Sequence, residues 1–169
     1  MFQAEMNITI RRASLEDLDL LLAWRMRVLR EVFNLPSAGP MTELERENRR
    51  YYRETLPAEG HIACFACAGG EIVGCGGVCI YQELPSPDNP GGWCAYLMNI
   101  YTLPAVRRRG VGGKIVRWLM EQAERRGITK IYLETSESGR PLYERLGFSD
   151  MDGYLCRKME KHPERDSPI

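Results

Sequence analysis

The run from Tyr101 to Lys114 constrains this chain more than any other: Tyr101-Thr102-Leu103-Pro104 leads through Arg107-Arg108-Arg109-Gly110-Val111-Gly112-Gly113 to Lys114. An apolar strand pattern stops at a proline and feeds a glycine-rich turn. An amphipathic helix pattern follows directly. Consecutive glycines let the backbone approach a ligand closely. The N-terminus of the helix behind them has unpaired N–H donors and a partial positive charge, which suits a phosphate. Three arginines just ahead of it add fixed positive charge. The run therefore reads as an anion site at a strand-to-helix junction, with a pyrophosphate as the natural occupant.

Two familiar phosphate loops are excluded by single residues. A P-loop requires glycine at position 108 and Ser or Thr at 115, where this chain has Arg108 and Ile115. A dinucleotide fingerprint requires its third glycine at 115 as well. The pattern that fits is Arg-x-x-Gly-x-Gly, followed by a helix, a strand and then Leu142-Tyr143-Glu144-Arg145-Leu146-Gly147-Phe148. In this order and spacing the segment 93–150 resembles the acyl-CoA loop and last helix of the GNAT acetyltransferase superfamily.

Composition narrows the alternatives. The chain has 169 residues, of which 44% are apolar, enough for one domain with a real core. A single domain over 1–160 with a loose tail at 161–169 is expected. Lys plus Arg equals Asp plus Glu at 23 each. That balance gives no support for nucleic acid or an anionic membrane as partner. The N-terminal residues lack a charged leader and an apolar signal core, so a cytoplasmic protein is the default. Six cysteines raise the question of a metal. Cys64 and Cys67 fall in a strand pattern, where residues three apart face opposite sides. No ligand pair at zinc spacing accompanies Cys75 and Cys79. The expectation is buried thiols and no metal.

Periodicity orders the elements. A strand is expected over 7–12 and a helix from the Ser14 capping signature to about Phe33. A second helix opens at Thr42, whose own capping signature pairs it with Glu45, and ends near Leu56. Strands follow over 62–68 and 72–81, joined at Gly69-Gly70. An irregular Pro-rich loop spans 84–92. A long apolar strand covers 93–103, a helix 112–126, a strand 128–135 and a short helix 138–146. A closing hairpin is expected over 148–159 around Asp152-Gly153. The order β-α-α-β-β-β-α-β-α-β-β makes an α/β fold on a mixed sheet. The resemblance implies a mostly antiparallel GNAT-like sheet split into a V around the cofactor.

The resemblance also assigns roles. It implies that acetyl-CoA is the cosubstrate and that backbone groups of Ile100, Tyr101 and Thr102 receive the pantetheine arm. It implies that the loop Arg107, Arg108, Arg109, Gly110, Val111, Gly112 and Gly113 holds the pyrophosphate, mainly through backbone N–H. Tyr143 occupies the position of the family's tyrosine near the acetyl sulfur, so it is the catalytic candidate. A phenol with pKa about 10 can protonate or hydrogen-bond a departing thiolate. Many members carry an asparagine one or two turns earlier. Here Ser136 or Ser138 stands in that region, and Ser136 is taken as the cofactor contact.

The acceptor amine must arrive neutral, which needs a base or a water relay. Glu83 and Glu134 are carboxylates near strand ends, and Asn99 is able only to bind or orient. His61 is too isolated in sequence to support a covalent acyl-enzyme. Direct attack in a ternary complex follows, with a backbone N–H donating to the thioester oxygen. The first two helices, bearing Trp24, Arg25, Arg27, Arg30, Arg49, Arg50 and Tyr52, form the acceptor side, and their basic residues suit a substrate with a carboxylate. The leading reading is an N-acetyltransferase acting on a small-molecule amine. The alternatives are a protein N-terminal or lysine acetyltransferase and a non-catalytic acyl-CoA-binding regulatory domain. A homodimer is compatible with the resemblance.

Overall fold

In the computed structural model of the chain, residues 7–37 and 39–158 are described. The expected tail at 161–169 lies outside them. A five-stranded sheet runs in the order β1 (Ile8–Arg12), β2 (His61–Ala68), β3 (Glu71–Gln82), β4 (Trp93–Thr102), β5 (Lys130–Leu133). The first three pairings are antiparallel and β4–β5 is parallel. The parallel pair is joined by α3 (Val111–Glu124), since a parallel connection needs a crossover.

The sheet is covered on both faces. Under α3, Ile115, Val116 and Leu119 are fully buried against Ile62, Val78 and Leu97. Each such side chain contributes about 1.5–3 kcal/mol on burial. On the opposite face lie α1 (Leu18–Val32) and α2 (Thr42–Thr55). There Leu21, Leu22 and Tyr52 pack with Phe65, Cys75 and Tyr101. Trp24 fixes the tilt of α1 by edge contacts to Phe65 and Tyr101, with ring centroids 6.3 and 6.1 Å apart. The Ser14 signature forms as expected: Ser14 N–H donates to Asp17 and Glu16 N–H donates to Ser14 Oγ. The Thr42 signature does not form. Thr42 is itself the first helical residue, behind Met41, and Glu45 pairs with Arg49 instead.

Two features of β4 open a cleft. Its pairing with β5 covers only Cys94–Leu97, after which the two strands part, giving the V. Its pairing with β3 then slips: Gly77 faces Met98 and Cys75 faces Tyr101, so Asn99 and Ile100 together oppose Gly76. This is a β-bulge, and Asn99 adopts the left-handed φ of 58° that asparagine tolerates better than most residues.

The closing hairpin is the one expected element that is missing. Among the described residues 149–158 form no strand, so five of the seven expected strands are present. Tyr154 and Leu155 are exposed, and β5 is left as the sheet edge. A hollow of about 580 Å³ lies beside that edge, bounded by Ile131, Leu133, Phe148 and Met151. Met159, the expected end of the hairpin, is outside the described residues.

Candidate functional site

The glycine-rich junction folds as a left-handed turn. After Leu103 a single 3₁₀ turn (Pro104–Val106) lifts the chain off the sheet, and Arg108 and Gly110 then take positive φ of 63° and 79°. Left-handed backbone costs about 1–2 kcal/mol for a residue with a Cβ, a cost Arg108 bears and Gly110 does not. Gly110 caps α3, and among the described residues no side chain bonds the first-turn N–H groups of Val111, Gly112 and Gly113. Gly112 leaves room at the mouth of the cleft, where a Cβ would press on Leu142 at 3.3 Å. The guanidinium groups of Arg108 and Arg109 are exposed and form no ion pair among the described residues.

Arg107 behaves differently from its two neighbours. Its guanidinium pairs with Glu31 on α1, donates through Nε to the Thr102 carbonyl at 3.1 Å and lies over the Tyr101 ring. Tyr101 Oη donates to the same Glu31 carboxylate at 2.6 Å. Those bonds, the tyrosine's first, hold the Glu31 carboxyl below its usual range. The three residues tie the end of β4 and the loop to α1.

The split between β4 and β5 is a cleft of about 410 Å³, reaching Asn99–Thr102 on one wall and Ser136, Leu142 and Tyr143 on the other. Gly112 stands at its helical end. The expected residues Ile100, Tyr101, Thr102, Gly112, Ser136 and Tyr143 therefore share one space. Tyr143 lies on the short helix α4 (Arg140–Glu144), its ring edge-on to Phe148 with centroids 5.9 Å apart. Burial pushes its phenol above the ordinary tyrosine value. Among the described residues its hydroxyl has no hydrogen-bond partner, while Ser136 Oγ is 3.0 Å from Ser138 Oγ and accepts from Gly139 N–H.

A second cavity of about 370 Å³ lies between α2 and the sheet. It meets the first at Arg25, Tyr96, Met98 and Asn99, which line both. Arg25 donates through Nη1 to Asn99 Oδ1 at 3.0 Å and through Nε to Asn48 Oδ1 at 3.2 Å. At the far end, Tyr51 Oη lies 3.1 Å from His61 Nδ1 and 2.9 Å from Cys79 Sγ. Burial, with a smaller contribution from the Arg25 charge, pushes the His61 imidazole down to about 4. His61 is neutral at pH 7. It fits because β3 has a glycine diagonally across from it: a Cβ on Gly77 would come within 2.6 Å of His61 Nε2.

Of the carboxylates considered as bases, Glu83 is occupied elsewhere. It is exposed, bonded to Lys130 Nζ at 2.7 Å, and lines neither cavity. Glu134 is exposed at the rim of the cleft. Sequence reasoning placed Arg25 on the acceptor side but missed Asn48, Tyr51, His61 and Cys79. A usable signal was present, since Tyr51 and Tyr52 break the charged pattern of α2 where it faces the start of β2.

A mixed sheet whose β4 and β5 part, a bulged β4 and a helix that opens at a glycine turn together make the GNAT arrangement. The chain matches the acetyltransferase (GNAT) family over residues 27–148, and it belongs to that family. It is 28% identical to a predicted acetyltransferase from Clostridium acetobutylicum, solved with acetyl-CoA, with a TM-score of 0.79 over 90% of this chain and 96% of that one. An uncharacterized N-acetyltransferase of Escherichia coli (strain K12), YjgM, is 35% identical over 96 residues. That match spans 55% of this chain and about half, 54%, of the relative. Glucosamine 6-phosphate N-acetyltransferase of Trypanosoma brucei brucei is 27% identical over 115 residues, 68% of this chain and 76% of that protein. No helix among the described residues is long and apolar enough to cross a membrane.

Proposed function

We propose that this protein transfers the acetyl group of acetyl-CoA to a primary amine of a small molecule by direct attack in a ternary complex. The observation that carries this reading is the meeting of two cavities at the β4 bulge, one leading from the glycine turn past Tyr143 and the other lying between α2 and the sheet. A transfer without a covalent enzyme intermediate requires donor and acceptor to reach one point from separate spaces.

The residues present fit acetyl-CoA. The first-turn N–H groups of α3 and the positive end of its dipole suit the pyrophosphate, with Arg108 and Arg109 free to pair with phosphate oxygens. Arg107 serves differently: through Glu31 it holds the loop in place. Backbone groups of Ile100–Thr102, on the stretch of β4 that has left β5, suit the amides of the pantetheine arm. The bulge re-aims the backbone at Asn99 and Ile100, where an N–H is available to the thioester oxygen.

The chemistry then runs through few groups. The neutral amine attacks the acetyl carbon, the C–S bond breaks, and Tyr143 donates its proton to the departing thiolate. Burial raises the pKa of this half-buried phenol above the ordinary tyrosine value, so it is protonated near neutrality and able to give that proton to the thiolate. Glu134, at the rim of the cleft, is placed to collect the amine proton through water. The modest volume of the second cavity, about 370 Å³, favours a small amine over a peptide, whose chain needs a longer groove. The test is release of free thiol from acetyl-CoA with a panel of small amines beside peptides bearing a free N-terminus or lysine. Turnover confined to small amines supports the reading. Turnover confined to peptides, or none with any amine, overturns it.

A further inference from the structure

We infer that the acceptor is an α-amino carboxylate with an apolar or aromatic side chain, and that Arg25 is the anchor for its carboxylate. The inference rests on the acetyltransferase reading and names the substrate class of its second cavity. Arg25 is half-buried at the junction of the two cavities. Its only hydrogen-bond acceptors among the described residues are the neutral amide oxygens of Asn48 and Asn99. Among the described residues it forms no ion pair. The two amides use Nε and Nη1, which fixes the plane of the guanidinium and leaves Nη2 without an acceptor among the described residues. A half-buried cation held rigidly by neutral groups is set up for an anion, and a carboxylate matches the guanidinium geometry.

The rest of the cavity agrees. Its lining contains no carboxylate, and His61 is kept neutral. A polyamine would bring several positive charges beside Arg25, and the one carboxylate among the residues lining either cavity is the exposed Glu134 at the rim of the cleft, so polycationic amines are disfavoured at this site. Tyr51, Tyr96 and Met98 give walls that suit an apolar or aromatic side chain. Position then fixes the connectivity. The amine must reach the acetyl carbon at the junction, and Arg25 is at that same junction. Amine and carboxylate must therefore sit close together at one end of the substrate, as in an α-amino acid, with the side chain directed toward His61 and Cys79.

The reaction balances as amine plus acetyl-CoA giving the N-acetyl amino acid and CoA. The N–C bond forms and the C–S bond breaks. The amine loses one proton to solvent, and the thiolate gains one from Tyr143, which solvent restores.

The test compares wild-type kcat/KM for L-methionine, L-leucine, L-phenylalanine and L-tyrosine with that for the corresponding amino-acid amides and for spermidine. The amides keep the amine and side chain and lack the negative charge. At least tenfold preference for an acid over its amide, with spermidine unused, is the expected result. Arg25→Gln should raise KM for the amino acid at least tenfold and remove the preference, with KM for acetyl-CoA within about threefold of wild type. Equal use of acid and amide, or a preference for spermidine, overturns the assignment and leaves the acetyltransferase reading standing. If acetyl-CoA stabilises the protein and none of these amines is acetylated, the substrate class is wrong. If acetyl-CoA does not bind at all, both fall. The wild-type comparison decides the matter even where Arg25→Gln fails to fold.

Discussion

Replacing Tyr143 by phenylalanine separates the chemistry of this site from its architecture. The hydroxyl has no protein partner among the described residues, so its removal leaves no buried donor or acceptor stranded. The ring contact with Phe148 at 5.9 Å is kept by phenylalanine. Stability should therefore change by less than about 0.5 kcal/mol, which for a chain of this size is a Tm shift of under about 2 °C. Affinity for acetyl-CoA should likewise be preserved, since the pyrophosphate and pantetheine contacts assigned above lie on other residues. The rate should not survive. A positioned general acid typically contributes about 10²–10⁴-fold, or about 3–5 kcal/mol of barrier. The assay is thiol release at saturating acetyl-CoA and amine, with calorimetry and thermal unfolding on the same preparation. A kcat within a factor of about two of wild type, on a folded variant that binds acetyl-CoA normally, refutes the assigned acid. A large loss of Tm would instead mean that the hydroxyl has a structural partner.

Other outcomes follow from the same geometry. Gly110→Ala adds a Cβ that meets no atom within 4 Å, so its penalty is the φ of 79° alone. It should destabilise by about 1–2 kcal/mol, lower Tm by about 2–8 °C and weaken acetyl-CoA binding, while Gly110→Asn recovers most of each. His61 has its folded pKa lowered from 6.5 to about 4. The unfolded chain therefore binds the proton more readily, and stability present above pH 6.5 is lost as pH falls toward 4. The loss from this group is about 3 kcal/mol, and urea unfolding from pH 7 to pH 4 should show it and show it flattened in His61→Leu. Glu31→Gln removes the negative charge that anchors Arg107. Because that pair is exposed, Tm should move little. KM for acetyl-CoA should rise about 3–10-fold with kcat nearly unchanged. A fall in kcat at constant KM would contradict the positioning role given to Glu31.

What was legible in the sequence is what local pattern dictates. The junction from Tyr101 to Lys114 could be placed because proline, glycine and helix periodicity act within a few residues of themselves. The helix behind it was legible for the same reason, its apolar positions Ile115, Val116, Leu119, Met120 and Ala123 recurring at helical spacing, and all but the partly buried Met120 are buried. The closing hairpin was not. Asp152-Gly153 is a real turn signal, but a strand needs a partner edge, and β propensity is settled by context rather than by the segment itself. The second cavity was out of reach for a different reason. Arg25 meets Asn99 across 74 residues, and the contact depends on a bulge that no spacing in β4 announces. His61 looked isolated because its partners, Tyr51 and Cys79, come from two other elements. That the Arg107 side chain pairs with Glu31 was not legible either, because Glu31 lies on a helix whose docking only the folded core determines.

The most direct measurement is a calorimetric and thermal-shift titration of the purified protein with acetyl-CoA, with CoA and ATP alongside. A ligand that binds only the folded state raises its stability by an amount set by concentration over Kd. Saturable one-to-one binding of acetyl-CoA, with a Tm rise of several degrees and little response to ATP, is the predicted result. No heat and no Tm shift at millimolar acetyl-CoA would contradict the account at its centre.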